Sequence, residues 1–317
     1  MEITISLPVA LTSLFVVAVE RMPVAMESLV PWRIGRPYKR AALAALGTPA
    51  LTVTHRRCAW RPVGVNLPDD ERRFLRRARH HVLVSSTAPP HDHPHAVQVA
   101  RAAARALAEE CGGLVVDPLT GSAVVACDGC PGERPEFQLG DDWVGWDIEV
   151  RDHASCPPWN PSDNHACACL RVTSRGLRRF ALPELTLEGA ACAHSLCAVS
   201  LLRAVAHRLV TDHLAFVAAH PGSAARTISD HLHVDRDTPD DGTPFLVRLT
   251  PCDDPGSLGA VPRLRVDPAP GATDRAACLK VAPPAGFSGT LNDWLCATQR
   301  PGLVRRVPVD ADEAWAA

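Results

Sequence analysis

Lysine and aromatic residues are scarce in this sequence of 317 residues. Of its 33 lysine and arginine residues, only Lys39 and Lys280 are lysines, Tyr38 is the single tyrosine, and aromatic residues make up 5% of the chain. A hydrophobic core must therefore be built mainly from alanine, valine and leucine. Arginine spread along the whole chain is typical of codon usage in a GC-rich genome, and we expect a bacterial protein.

A large excess of charge of either sign is also missing. The formal net charge is -2, which gives no bulk electrostatic attraction to nucleic acid or to an acidic membrane. One local exception is a predicted helix beginning at Asp69, with basic residues three or four apart: Arg72, Arg73, Arg76, Arg77 and His80. Because stacking aromatics are rare, this pattern favours a solvated helix face, and we do not expect nucleic acid as a partner.

No apolar run is long enough to span a bilayer. The best candidate, Leu7 to Val19, is interrupted by Pro8 and has no basic residues before it, so it is neither a spanning helix of about 20 residues nor a signal peptide. We expect it to form buried strands in a cytoplasmic protein without membrane contact. In a reducing cytosol the 12 cysteines would be thiols or metal ligands, and disulfides are the less favoured alternative.

The clearest unit of secondary structure lies in the first half. The run H-V-L-V-S-S-T, bounded by Pro89 and Pro90, predicts a strand at His81–Thr87. A helical stripe predicts a helix from Pro94 to Cys111 with Asp92 as its cap. Leu114–Val116 and Ser122–Ala126 flank a D-P-L-T-G turn and predict a hairpin. Strand, helix and strand in this order indicate a β-α-β unit.

The second half predicts short strands around one long helix, Ala190 to His220. The predicted strands are Trp146–Arg151, Cys167–Thr173, Leu185–Leu187, Phe245–Leu249, Leu264–Val266 and Leu279–Val281, and Leu291–Thr298 predicts a last helix. Both halves thus indicate an α+β fold with helices packed on antiparallel or mixed sheets.

Changes in composition predict the domain organisation. Residues 1–131 form an N-terminal α+β lobe, 132–164 a long loop or linker rich in Pro, Trp, Asp and Gly, 165–300 a C-terminal α+β lobe, and 301–317 a tail. The lobes are of similar make-up. No sequence repeat of 20 to 50 residues is present, so a duplication would be visible only in the structure.

The segment S-R-G-L-R-R-F-A-L-P-E-L, from Ser174 to Leu185, is similar to a segment T-x-G-L-x-x-F-G-x-P-E-L of uncharacterised bacterial proteins. Ser174 and Ala181 stand where that pattern has Thr and its second Gly. The resemblance covers about 12 residues and implies no activity. Its residues predict a turn at Gly176, buried Phe180 and Leu182, and an extended Leu182 before proline.

Two groups of cysteine and histidine predict a metal site. Cys127-Asp-Gly-Cys130 has the spacing with which a tight turn offers two thiolates to zinc. In H-A-C-A-C, alternation along a strand would place His165, Cys167 and Cys169 on one face. We expect zinc bound by Cys127, Cys130 and members of this second group, with Cys156 as a further candidate. The alternative is that these cysteines are small buried hydrophobic residues.

Other histidine patterns are weaker. His91, His93 and His95 (H-D-H-P-H) are similar to the H-x-H of metallohydrolases, but the Asp and last His of that pattern are absent. H-L-H-V-D, residues 231–235, resembles the ligands of a two-histidine, one-carboxylate iron site, yet no later histidine follows. His194 and Cys197 are helical neighbours without a third catalytic residue. Polar surface and buried helix faces are the favoured interpretations.

These patterns favour a cytosolic binding or accessory module for a protein partner or a small ligand, with a structural zinc. The alternative is a Cys/His-dependent or metal-dependent hydrolase-like enzyme whose site would combine residues 132–164, the H-D-H-P-H loop, and Cys167 or Cys169. Because G-x-S-x-G, the P-loop and G-x-G-x-x-G are all missing, the common enzyme classes are not favoured.

Overall fold

The computed structural model describes residues 2–22, 34, 37–57, 60, 62, 65, 67–124, 133–151, 167–234, 245–252 and 278–298. Its helices are α1 Lys39–Ala45, α2 Asp69–Arg77, α3 His95–Cys111, α4 Ser195–Ala219 and α5 Leu291–Thr298. Its strands are β1 Glu2–Ser6, β2 Leu11–Val19, β3 Thr52–Arg56, β4 His80–Ala88, β5 Leu114–Asp117, β6 Ser122–Ala123, β7 Gly145–Val150, β8 Leu170–Arg175, β9 Glu184–Ala190, β10 Ala225–Ser229, β11 His231–Val234, β12 Phe245–Pro251 and β13 Cys278–Ala282.

The first half forms a five-stranded sheet in the order β3-β4-β2-β5-β6, in which all neighbours are antiparallel. The predicted β-α-β unit is present as β4-α3-β5, but β2 lies between its two strands. Residues Phe15 to Val19 of β2 are fully buried. A strand that is apolar on both faces is most stable at the centre of a sheet, which explains its position.

The second half forms a six-stranded sheet in the order β11-β12-β13-β9-β8-β7. Only β13 and β9 are parallel, so this sheet is mixed. A separate antiparallel pair joins β1 to β10. The predicted α+β class with antiparallel and mixed sheets is therefore confirmed, and the two large sheets differ in strand number and order.

The two long helices cover these sheets, as predicted. Helix α3 packs on β2 and β4, and α4 packs on β8 and β9. One hydrophobic cluster contains residues of both sheets and both helices, for example Phe15, Leu107, Leu187 and Leu202.

The predicted division of the chain into two lobes at residues 132–164 stays a prediction. Of this range the structure describes 133–151, where Trp143 is buried and β7 forms as expected. Residue 132, residues 152–164 and the predicted tail lie outside the described residues.

The starts of both long helices differ from the predictions. Helix α4 begins at Ser195, not Ala190, because Ala190 still pairs with Leu170 in the sheet. Asp92 does not cap α3. It belongs to a separate 3-10 turn, Pro90–Asp92, and Pro94 takes the capping position without a side-chain hydrogen bond.

The other predicted helices, α2 and α5, and the strands β4, β5, β12 and β13 are confirmed to within a few residues. The predicted strand Leu264–Val266 lies outside the described residues.

The segment Ser174–Leu185 forms a tight turn organised by one carboxylate. Glu184 is buried and accepts hydrogen bonds from the Ser174 hydroxyl (2.7 Å) and the Gly176 amide (2.9 Å). Gly176 has φ +123°, and Ala181, which stands where the similar bacterial segment has glycine, has φ +60°, in the left-handed region that favours glycine. The predicted turn at Gly176 and the burial of Phe180 and Leu182 are confirmed; the family resemblance stays a prediction.

Cysteine chemistry differs from expectation at one position. Cys252 and Cys278 form a disulfide, so the preference for thiols is wrong for this pair. The antiparallel register of β12 and β13 pairs Pro251 with Leu279 and thereby brings the two cysteines opposite each other, with Cα atoms 5.4 Å apart. The other six cysteines in the described segments are not disulfide-bonded.

Candidate metal centre

Three cysteines meet where β8 begins and β9 ends. Cys167 and Cys169 directly precede β8, and Cys192 follows β9 in the 3-10 turn Cys192–His194. Because Leu170 pairs with Ala190, the chain entering β8 and the chain leaving β9 lie side by side. Hairpin register thus joins residues that are more than twenty positions apart in sequence.

The three sulfur atoms are close enough to share one ion. All lie within 4.8 Å of one another, and the sulfurs of Cys167 and Cys169 are 3.0 Å apart. A tetrahedral zinc with Zn–S bonds of about 2.3 Å separates its sulfurs by about 3.8 Å. The observed spacing needs only small side-chain movements to reach that geometry, so the cluster can hold a metal ion.

Backbone hydrogen bonds hold both cysteine segments. The Arg151 amide, just after β7, donates to the Cys169 carbonyl at 2.8 Å. Asn292 of α5 is buried, accepts a hydrogen bond from the Ala191 amide at 2.8 Å and donates its side-chain amide to the Cys167 carbonyl at 3.4 Å. Asn292 therefore bridges the two segments that carry the thiols.

Two of the five predicted zinc ligands, Cys167 and Cys169, lie in this cluster. They precede β8, so the predicted one-faced strand is wrong for them. Cys127, Cys130, His165 and Cys156 lie outside the described residues. Cys192 was missed, because a lone cysteine between alanines carries no spacing signal; only the β8–β9 pairing reveals it.

A second pair of cysteines lies where α4 contacts α5. Burial raises the pKa of the Cys197 thiol, and the neighbouring Cys296 raises it further. A nucleophilic cysteine needs a lowered pKa, so Cys197 is not poised as a thiolate. His194, the predicted neighbour of Cys197, is buried in the 3-10 turn before α4.

The H-D-H-P-H histidines occupy three different environments. His91 is partly exposed, and His95 begins α3 with its ring 5.8 Å from that of Tyr38. His93 is 5% exposed, and burial, followed by the guanidinium of Arg179, lowers its pKa to about 4. Among the described residues, the only group of three or more possible metal ligands is the cysteine cluster.

The remaining predicted sites are also placed by the structure. His231 and His233 lie on β11, as expected for strand residues, and His231 contacts Asp230 at 3.0 Å; Asp235 lies outside the described residues. The four arginines of α2 are exposed, and two form ion pairs, Arg72 with Asp69 and Arg77 with Glu20.

None of the helices in the described segments is both long enough and apolar enough to cross a bilayer. No protein-family model matches this chain, and no curated protein or solved structure is significantly similar to it.

Proposed function

We propose that this protein is a binding or accessory module with a structural zinc ion held by Cys167, Cys169 and Cys192. The observation that supports it is the approach of three thiols from two separate segments to within 4.8 Å. Thiolates are the ligands of structural zinc sites, and three thiolates at this distance, of which Cys169 is buried, would repel one another without a cation. Bound zinc would tie the chain entering β8 to the start of α4.

A structural zinc site has four protein ligands, and the fourth is proposed to come from the group Cys127, Cys130 and His165. His165 is two residues before Cys167, and Cys127 and Cys130 have the C-x-x-C spacing. This set is larger than one site needs, so zinc measurements on the variants Cys127→Ser, Cys130→Ser and His165→Ala would identify the ligand.

The experiment is metal analysis of full-length protein purified under reducing conditions. We expect one zinc per chain, lost in Cys169→Ser and Cys192→Ser and retained in Cys111→Ser, a matched control at the end of α3 and outside the cluster. Chelation should lower the thermal midpoint of the wild type and of Cys111→Ser. Metal-free wild type, or unchanged zinc in Cys192→Ser, would contradict the proposal.

The hydrolase-like enzyme stays the alternative. A metal-dependent enzyme would keep one position open for water. Zinc that is retained in all three variants, Cys127→Ser, Cys130→Ser and His165→Ala, would therefore favour the enzyme. In the described part of the chain the H-D-H-P-H histidines do not join the cysteine cluster, which supports the structural role.

A further inference from the structure

A cleft of about 320 Å³ lies between three segments that are distant in sequence. Its walls come from the β1–β2 turn (Leu7 to Val9), the turn after β4 (Pro89 to His91) and the end of α4 with the turn that follows (Val217 to Ala224). This volume is at the lower end of the range for small-molecule sites. The cleft is separate from the cysteine cluster and shares none of its residues.

The walls are apolar and stiff. Pro8, Pro89 and Pro90 have fixed φ angles, and Leu7, Val9 and Val217 add aliphatic surface. The Leu7 amide donates a hydrogen bond to the Ala224 carbonyl at 2.8 Å, which ties two of the walls together. Val9 is 94% exposed at the rim, so its side chain is accessible to a ligand in the cleft.

Two histidines are the only ionisable side chains among the described residues that line the cleft, His91 and His220. The wall therefore offers neutral or positive groups and no carboxylate. Asp92 does not line the cleft, but its carboxylate lies 3.9 Å from the His91 imidazole and can pair with it when the imidazole is protonated. An anionic ligand would thus meet its main charge partner at His220.

The imidazole of His220 is held in one orientation. Its Nδ1 lies 3.0 Å from the Phe216 carbonyl oxygen, and because a carbonyl only accepts, Nδ1 is the donor. The ring also stacks on Phe216 with centroids 4.6 Å apart. This arrangement leaves Nε2 as the nitrogen that can bind a ligand, and protonation turns it into a charged donor.

We infer that this cleft binds a small aliphatic carboxylate, whose chain contacts the proline and valine walls and whose carboxylate accepts a hydrogen bond from Nε2 of the protonated His220 imidazole. This inference rests on the binding role proposed above, but not on the metal. A charge-assisted hydrogen bond adds to the burial of the chain, so the acid should bind better than an alcohol of the same length.

The test is titration of the full-length protein with sodium hexanoate and with hexan-1-ol at about pH 6, below the ordinary histidine pKa of about 6.5, followed by amide NMR signals of Gly222 and Ser223. We expect saturable shifts with hexanoate and about tenfold weaker binding of the alcohol. His220→Gln should weaken hexanoate about tenfold and leave the alcohol unchanged. Val9→Asp places a carboxylate at the rim and should weaken hexanoate by at least about tenfold.

Leu43→Asp is the matched control, because Leu43 is a 47% exposed aliphatic residue of α1 outside the cleft. Its hexanoate affinity should equal that of the wild type. Absence of saturable shifts, equal affinity for acid and alcohol, or unchanged binding by Val9→Asp would overturn the inference. Zinc content, measured on the same samples, reports separately on the proposed metal centre.

Discussion

Arg179 donates a hydrogen bond to the carboxylate of Asp117, and the two side chains are only 1% and 3% exposed. Arg179 belongs to the 3-10 turn Leu177–Phe180 after β8, whereas Asp117 ends β5. The pair therefore links the two large sheets. A second oxygen of Asp117 accepts the Leu119 amide at 2.9 Å, so one carboxylate both closes the D-P-L-T-G turn and receives Arg179.

Arg179→Met should lower the free energy of unfolding by about 3 to 5 kcal/mol, because it leaves a buried carboxylate without its cation. Urea denaturation would measure the change. Arg72→Met is the control: Arg72 pairs with Asp69 at 3.0 Å, but both side chains are exposed, and the expected loss is at most about 1 kcal/mol. Equal losses in the two variants would show that the buried pair has no special role.

Acid should destabilise the fold through two buried histidines, His93 and His213. Burial lowers the pKa of each to about 4, assisted by Arg179 near His93 and Arg226 near His213. Asp92 and the Ala88 backbone oppose the shift at His93, and the Phe180 backbone opposes it at His213. Since unfolded histidine has a pKa near 6.5, the unfolded chain binds more protons between about pH 6.5 and 4.

Their stabilisation is therefore fully present above about pH 6.5 and is lost as the pH falls toward 4, by up to about 3 kcal/mol for each group. Urea midpoints across this range would measure the slope. His213→Leu should flatten it, whereas His207→Leu, at an exposed position of the same helix, should not. An unchanged slope in His213→Leu would contradict the assignment.

Gly176→Ala should cost about 2 to 4 kcal/mol of stability. Gly176 has φ +123°, and an added Cβ would lie 2.5 Å from the Trp143 carbonyl oxygen. Gly140→Ala is the control, because a Cβ there meets nothing within 4 Å. Thermal unfolding of both variants measures the difference, and similar midpoints would argue against a strained turn.

Asn292 should act as a positioning residue for the proposed zinc site. Asn292→Ala removes both hydrogen bonds to the cysteine segments and should weaken zinc binding by about 10- to 100-fold in competition with a chelator. Asn292→Asp keeps the acceptor for the Ala191 amide and should lose less affinity. Thr298→Ala, at the other end of α5, controls for helix stability. Equal zinc affinity of all these variants would contradict a positioning role for Asn292.

Local patterns in the sequence were sufficient for many elements. The helical stripe of α3 and the apolar runs of β4 and β2 predict helix or strand from neighbouring residues alone. The starts of α3 and α4 were less accurate, since a strand pairing at Ala190 and a separate turn at Asp92 changed them.

Part of the candidate site was also visible in the sequence. The spacing of Cys167 and Cys169 predicted metal ligands, and both lie in the cluster. Cys192 could not be found this way, because neither its neighbours nor its spacing distinguishes it from a buried core cysteine. The same holds for Cys252 and Cys278, whose proximity depends on the register of β12 and β13.

The sequence by itself determined the α+β class, because hydrophobic periodicity is a property of neighbouring residues. Only the tertiary structure decided which strands are adjacent, which cysteines meet, and that Arg179 reaches Asp117 across the core. These relationships depend on strand register and on packing between distant segments. Such contacts are selected by the burial of the whole chain and leave no local pattern from which they could be predicted.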